Sequence, residues 1–358
     1  MYSISKSLIY NKCNNPEAFI PIMLFRSRTV RFTCLGILFF FCAGAFAQNN
    51  QPQDSQDQLP TFTSNVSVVN LFFNVKDKKG ALIPNLTKED FKVFEDGKAQ
   101  TIKYFSAESN QPLTLGLLID TSVSQERVLP MEKEVGYAFL KDVLRPKDLA
   151  FLISFDVNVD LLHDYTNAAG DLRRGIEDAR INSGGNVGIS PGMGGGPFPT
   201  SSNPRGTLLY DAVYLSAHEK LAKEVGRKAM ILLTDGADQG SQMNLHDAVE
   251  AAQKADAIVY VLLIADRGFY GGGYYGEGDM KKMCEETGGR MIEVGNKFEK
   301  LKEAFDQISK ELRSQYNIGY TPTNNKLDGS YRKVEIHPKD KNLKIQARAG
   351  YYAIARKE

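Results

Sequence analysis

Between residues 113 and 312, short apolar runs alternate with helix-length segments. No other feature restricts the fold as strongly. Residues 115–119, 148–155, 228–233 and 258–264 are rich in branched aliphatic side chains and read as strands, with 159–165 and 291–294 as further short ones. Residues 130–144, 168–179, 207–223, 245–255, 279–287 and 298–312 read as helices. Val135, Phe139 and Leu140 fall near helical spacing in the first of these. Strands that alternate with helices imply a mainly parallel, Rossmann-like sheet with helices on both faces, an α/β architecture.

Outside that span the pattern is β. Residues 66–75 form a strand, and 86–91 a short helical turn capped by Thr87. A strand over 92–95, the turn Asp96-Gly97 and a return strand over 100–105 make a hairpin. So few strands are marginal alone. Residues 316–320, 332–337 and 344–349 also read as strands and are expected to supply the partners. The expected plan is an α/β unit over 113–312 inserted into a small all-β domain built from 62–108 and 314–358.

The N-terminus carries an export signature. Arg26, Arg28 and Arg31 precede an apolar run over 32–45, and Ala45-Phe46-Ala47 forms a small-residue cleavage site. Residues 1–47 are therefore a leader with a secretory signal, with Met23 a candidate start. The run is short for a membrane span, and membrane attachment follows only if the signal is retained. Residues 48–61, rich in Gln, Asn, Asp and Pro, read as a disordered linker. The formal net charge of +1 gives no reason to expect nucleic-acid binding, and loss of the leader takes 44 basic and 43 acidic residues to 39 and 42, a net charge of −3. It also removes Cys13, Cys34 and Cys42. Cys284 then has no partner for an intrachain disulfide, so an exported protein must rely on its core.

The first α/β strand ends in Asp120-Thr121-Ser122-Val123-Ser124. One carboxylate and two hydroxyls within five residues suit a hard divalent cation. A strand running into a polar turn accounts for the same five residues. The run 229–233 repeats the design, ending in Thr234 and Asp235. Thr207 stands where a loop enters a helix, the place of an N-cap. In open α/β sheets, ligands sit beyond the carboxyl ends of strands.

Together Asp120, Ser122, Ser124, Thr207 and Asp235 resemble the metal-ion-dependent adhesion site of the von Willebrand factor type A family. Its pattern is Asp-x-Ser-x-Ser, then a Thr in a second loop and an Asp in a third. All five positions match in chain order. The flanks, with Glu89-Asp90-Phe91 and Gly350-Tyr351-Tyr352, resemble bacterial exported members. The resemblance implies that Ser122, Ser124 and Thr207 bind Mg²⁺ (Mn²⁺ and Ca²⁺ also fit). Asp120 and Asp235 would act mostly through water, and an Asp or Glu of a partner protein would complete the shell. It implies metal-dependent protein binding or adhesion in the periplasm, on the cell surface or outside the cell. The alternative is a structural or assembly subunit of an envelope complex.

Enzymatic readings lack their motifs or the setting these need. There is no G-x-x-x-x-G-K-[ST] loop, and Gly188-Ile189-Ser190-Pro191-Gly192 falls inside the Gly/Pro/Ser-rich loop over 181–206 and not at a strand-to-helix turn. The second Asp of haloacid-dehalogenase-like proteins is replaced here by Ser122. His163, His218, His246 and His337 are scattered, which suits surface or packing roles, and Cys284 reads as a buried thiol. Asp238 reads as a turn residue, the Gly192–Gly196 run as a loop, and Tyr270, Tyr274 and Tyr275 as either a partner-facing surface or a mobile loop.

Overall fold

The computed structural model describes residues 68–107, 111–181, 206–264 and 276–354. All belong to one compact unit that begins at Thr63. The leader, the 48–61 linker, the Gly192–Gly196 run and the Tyr270–Tyr275 insertion lie outside the described residues.

The first flank contributes β1 (Val69–Lys76), β2 (Phe91–Glu95), β3 (Lys98–Gln100) and β4 (Ile102–Ala107). The α/β region follows with β5 (Leu113–Asp120), α1 (Leu129–Val143), β6 (Leu149–Phe155), β7 (Val159–Thr166) and α2 (Ala169–Asp178). It continues through α3 (Leu209–Leu215), β8 (Arg227–Thr234), α4 (Leu245–Lys254), β9 (Ala257–Leu263), α5 (Glu277–Thr287), β10 (Met291–Glu293) and α6 (Phe298–Arg313). The second flank supplies β11 (Tyr316–Tyr320), β12 (Tyr331–Pro338), β13 (Lys344–Ala347) and β14 (Gly350–Tyr352).

The six-stranded sheet runs β10-β9-β8-β5-β6-β7. Every neighbouring pair is parallel except β6 with β7. All eight residues of β5 and all eight of β8 are buried. Burial on both faces explains why these strands read as continuous apolar runs and do not alternate. Leu115, Leu117 and Ile119 pack on one face with Val135, Phe139 and Leu140 of α1 and Phe305 and Ile308 of α6. Leu118 packs on the other with Leu209 and Val213 of α3, Ala248 and Ala252 of α4, and Met280 and Cys284 of α5. Gly116 is dictated by this packing, because a Cβ there would stand 2.5 Å from the Phe151 ring.

Two four-stranded sheets, β13-β1-β11-β4 and β14-β12-β2-β3, draw strands from both flanks. β1 lies antiparallel to β11, with Val69 opposite Tyr320, and to β13. Phe73, Phe91, Phe105 and Tyr316 form an aromatic cluster in their shared core, with ring centroids 5.1–5.8 Å apart. The return strand expected over 100–105 is in fact two strands. The chain leaves one sheet at Gln100 and enters the other at Ile102. Gln100 stabilises the corner by accepting from the Thr323 N–H at 3.0 Å and donating to its hydroxyl at 3.0 Å. Strands that switch sheets at bends make such corners. The expected Thr87 cap also differs in sense. The Asp90 carboxylate accepts from the Thr87 N–H (2.8 Å) and from its hydroxyl (3.0 Å).

Candidate metal centre

β5 brings Asp120 to the carboxyl edge of the sheet, where it is fully buried. Its Oδ1 accepts from the Ser122 N–H at 3.0 Å, and its Oδ2 from the Thr234 hydroxyl at 2.7 Å. The first of these bonds folds the chain back just past the strand. Ser122 and Ser124 then stand on one side of a single 3₁₀ turn (Val123–Gln125), their Oγ atoms 2.9 Å apart.

The neighbouring strand β8 ends in Thr234, followed by Asp235. The Thr234 hydroxyl accepts from the Gly236 N–H at 3.0 Å while donating to Asp120, so one side chain stitches the two strand ends together. Asp235 is buried and accepts from the Ala237 N–H at 3.0 Å. Gly236, at φ +85°, makes the left-handed turn this loop requires. Thr207 does not cap α3, since Leu208 occupies the residue before that helix. It exchanges two backbone bonds of 2.9 Å with Gln239, tying the second loop to the third. Asp238 is a turn and capping residue. It accepts from the Ser241 hydroxyl at 2.6 Å and from the Tyr210 N–H in the first turn of α3 at 3.1 Å.

Negative charge is crowded at this edge. Burial, and secondly the Asp235 carboxylate, push Asp120 up to about 7, against the pull of its bonds to Ser122 and Thr234. None of these influences is a cation. Sequence reasoning missed a third acid, Glu132 of α1. It is fully buried, and neither carboxyl oxygen has a hydrogen-bond partner. Burial, then Asp120 and Asp235, hold its carboxyl well above the usual range. Extending the α1 stripe from Gly136 and Leu140 back by one turn lands on Glu132, and that spacing was the available signal.

Among the described residues, no three or more His, Cys, Asp or Glu side chains are placed to hold one ion. A cation here would depend on hydroxyl oxygens. The donors present are hard oxygens, and the carboxyl of Asp120 is set against that of Asp235, so the residues fit a hard divalent ion. The remaining candidates take other roles. His218, His246 and His337 are exposed beside Glu219, Glu250 and Glu335. Cys284 is buried in the core, and burial raises its thiol pKa.

No protein-family model and no curated protein matches the sequence. Solved structures do. BatB from Bacteroides thetaiotaomicron aligns over 56% of this chain and 100% of its own, at 19% identity and a TM-score of 0.43. An aerotolerance-related membrane protein from Bacteroides fragilis aligns over 56% and 98%, at 17% identity and a TM-score of 0.40. Proximal thread matrix protein 1 from mussel byssus, solved with a zinc-occupied metal-ion-dependent adhesion site, aligns over 57% and 49%, at 13% identity and a TM-score of 0.40. The fold assignment stands on the chain's own features. Its sheet is parallel with one antiparallel edge and helices on both faces, and its central strand ends in Asp-x-Ser-x-Ser. The α/β region of this chain has a von Willebrand factor A-like fold.

Proposed function

We propose that this is an exported protein that binds a protein partner through a divalent cation, without catalysing a reaction. Ser122, Ser124 and Thr207 would hold the ion through hydroxyl oxygens, with Asp120 and Asp235 behind them. An Asp or Glu of the partner would complete the shell. Mg²⁺ suits such a site, because it prefers octahedral oxygen and keeps several waters. With few carboxylates bound directly, the ion stays electrophilic enough to accept an outside anion.

The observation that carries this reading is the serine pair. Two hydroxyls 2.9 Å apart stand at the edge of the sheet, backed by a buried carboxylate that fixes the turn presenting them. A second reading, a structural or assembly subunit, is favoured by the bond from Thr234 to Asp120, which ties the ends of two strands together.

The test is capture of envelope proteins on the immobilised chain in Mg²⁺ and in EDTA, with wild type and Asp120→Ala. Capture lost both in EDTA and in the folded variant supports binding through the ion. Equal capture in all conditions rejects it. Among the described residues no helix is long and apolar enough to cross a membrane. Export is tested separately, by N-terminal sequencing of the protein from its native envelope.

A further inference from the structure

Glu132 lies on the face of α1 that packs on the sheet, in line with Leu129, Gly136 and Leu140, all buried. A core position on such a stripe ordinarily takes an apolar side chain. Here it holds a carboxyl that is 0% exposed, with both oxygens lacking a hydrogen-bond partner. The charges acting on it are Asp120 and Asp235, the two carboxylates of the candidate site. Burying an acid against two like charges disfavours the folded state. The other buried glutamates do not share this condition. Glu311 meets Lys76 and Arg290, and Glu95 accepts from two tyrosine hydroxyls.

We propose that Glu132 is a further residue of the candidate cation site, a buried carboxylate whose charge, added to those of Asp120 and Asp235, raises the affinity for a divalent cation. The proposal rests on the cation reading given above. Glu132 is a positioning residue. It acts through the field it shares with Asp120 and Asp235, and the ion's direct oxygens remain those of the loops. A bound divalent ion is the largest charge in such a site and reverses the sign of the local electrostatics. The same carboxyl that weakens the ion-free protein then favours the ion-bound one. The acids also explain one another in this scheme. Asp120 and Asp235 raise the cost of an ionised Glu132, and a bound cation lowers it.

The experiment is titration of the full chain with Mn²⁺ alone, counting free ion by electron paramagnetic resonance, alongside thermal unfolding in EDTA. Wild type is compared with Glu132→Gln, Glu132→Met and Asp120→Ala. Both neutral Glu132 variants are expected to weaken Mn²⁺ binding by about tenfold or more, the usual scale for residues behind the direct ligands. Both should also raise the unfolding temperature in EDTA. A change in unfolding temperature with Mn²⁺ affinity kept within about twofold would make Glu132 purely structural and overturn the proposal. So would failure of both neutral variants to fold. If wild type itself takes up no Mn²⁺, the cation reading fails and this inference with it. If wild type binds, Asp120→Ala does not, and the Glu132 variants match wild type, only this inference fails.

Discussion

The acids buried against the β flanks and those buried at the carboxyl edge of the large sheet are treated in opposite ways. Where α6 meets the β flanks, Glu311 is 2% exposed and contacts Lys76 Nζ at 2.8 Å and Arg290 Nε at 2.7 Å. Gln346 adds a bond at 3.2 Å. In the flanking core, Glu95 accepts from the hydroxyls of Tyr320 (2.8 Å) and Tyr351 (2.9 Å). At the carboxyl edge of the large sheet, Asp120 feels the like charge of Asp235, and Glu132 feels both. Buried ionisable groups are ordinarily paired, because leaving one unpaired is costly. The paired acids hold the fold together. The crowded ones concentrate negative charge at one edge of the sheet.

Substitutions can break this contrast. Glu311→Ala should have the largest effect on stability. It takes the shared carboxylate from the partly buried Lys76 and Arg290, which keep Gln346 and Gln307 as partners, and should cost about 3 kcal/mol in denaturant unfolding, the low end for broken buried pairs. Mn²⁺ affinity should be unchanged, and a parallel loss of both would show that the two regions are not independent. Ser122→Ala with Ser124→Ala should reverse the pattern. Mn²⁺ affinity should fall by about a hundredfold, roughly 2.7 kcal/mol, while stability in EDTA moves by no more than about 0.5 kcal/mol.

Glu95→Gln is a milder test of the paired class. Both tyrosine hydroxyls meet the same Glu95 oxygen, so an amide oxygen there can still accept them but without charge assistance, and about 1.5 kcal/mol of stability should be lost. Smallest of all is the exposed pair of Asp164 with Lys220. The hydrogen bond from Lys220 holds the Asp164 carboxyl below its usual range. A lowered folded value stabilises the protein above the ordinary carboxylate range, and that gain is lost as pH falls through the folded value. Asp164→Asn should flatten this acid-side slope in unfolding measured between pH 5 and pH 2, with a cost below about 1 kcal/mol at neutral pH.

The α/β architecture was legible because its strands and helices differ in hydrophobic period, and doubly covered strands such as β5 stand out as unbroken apolar runs. Asp120, Ser122 and Ser124 were legible because one short stretch carries them. Two features were not. Residues 100–105 follow a single β pattern, yet the chain changes sheets at Thr101. Local periodicity reports which face is buried and cannot say which neighbour a strand joins. Glu132 escaped because an acid in the first turn of a helix has an ordinary explanation in the helix dipole. Only the assembled core shows that this one lies among Leu129, Val135 and Gly136 beneath the sheet edge.

The pairing of β1 with β11 and β13 has a consequence for how the chain is made. The strand nearest the start must wait for strands near the end, with the whole α/β region between them. During synthesis, Val69–Lys76 emerges before either of the strands that flank it, β11 and β13. Until residue 347 has followed, it offers unsatisfied amides and the side chains of Leu71, Phe73 and Val75 to whatever is nearby. A chain cut short after α6 would keep that exposed strand permanently. It should aggregate even though the large sheet, and the acids at its edge, are complete.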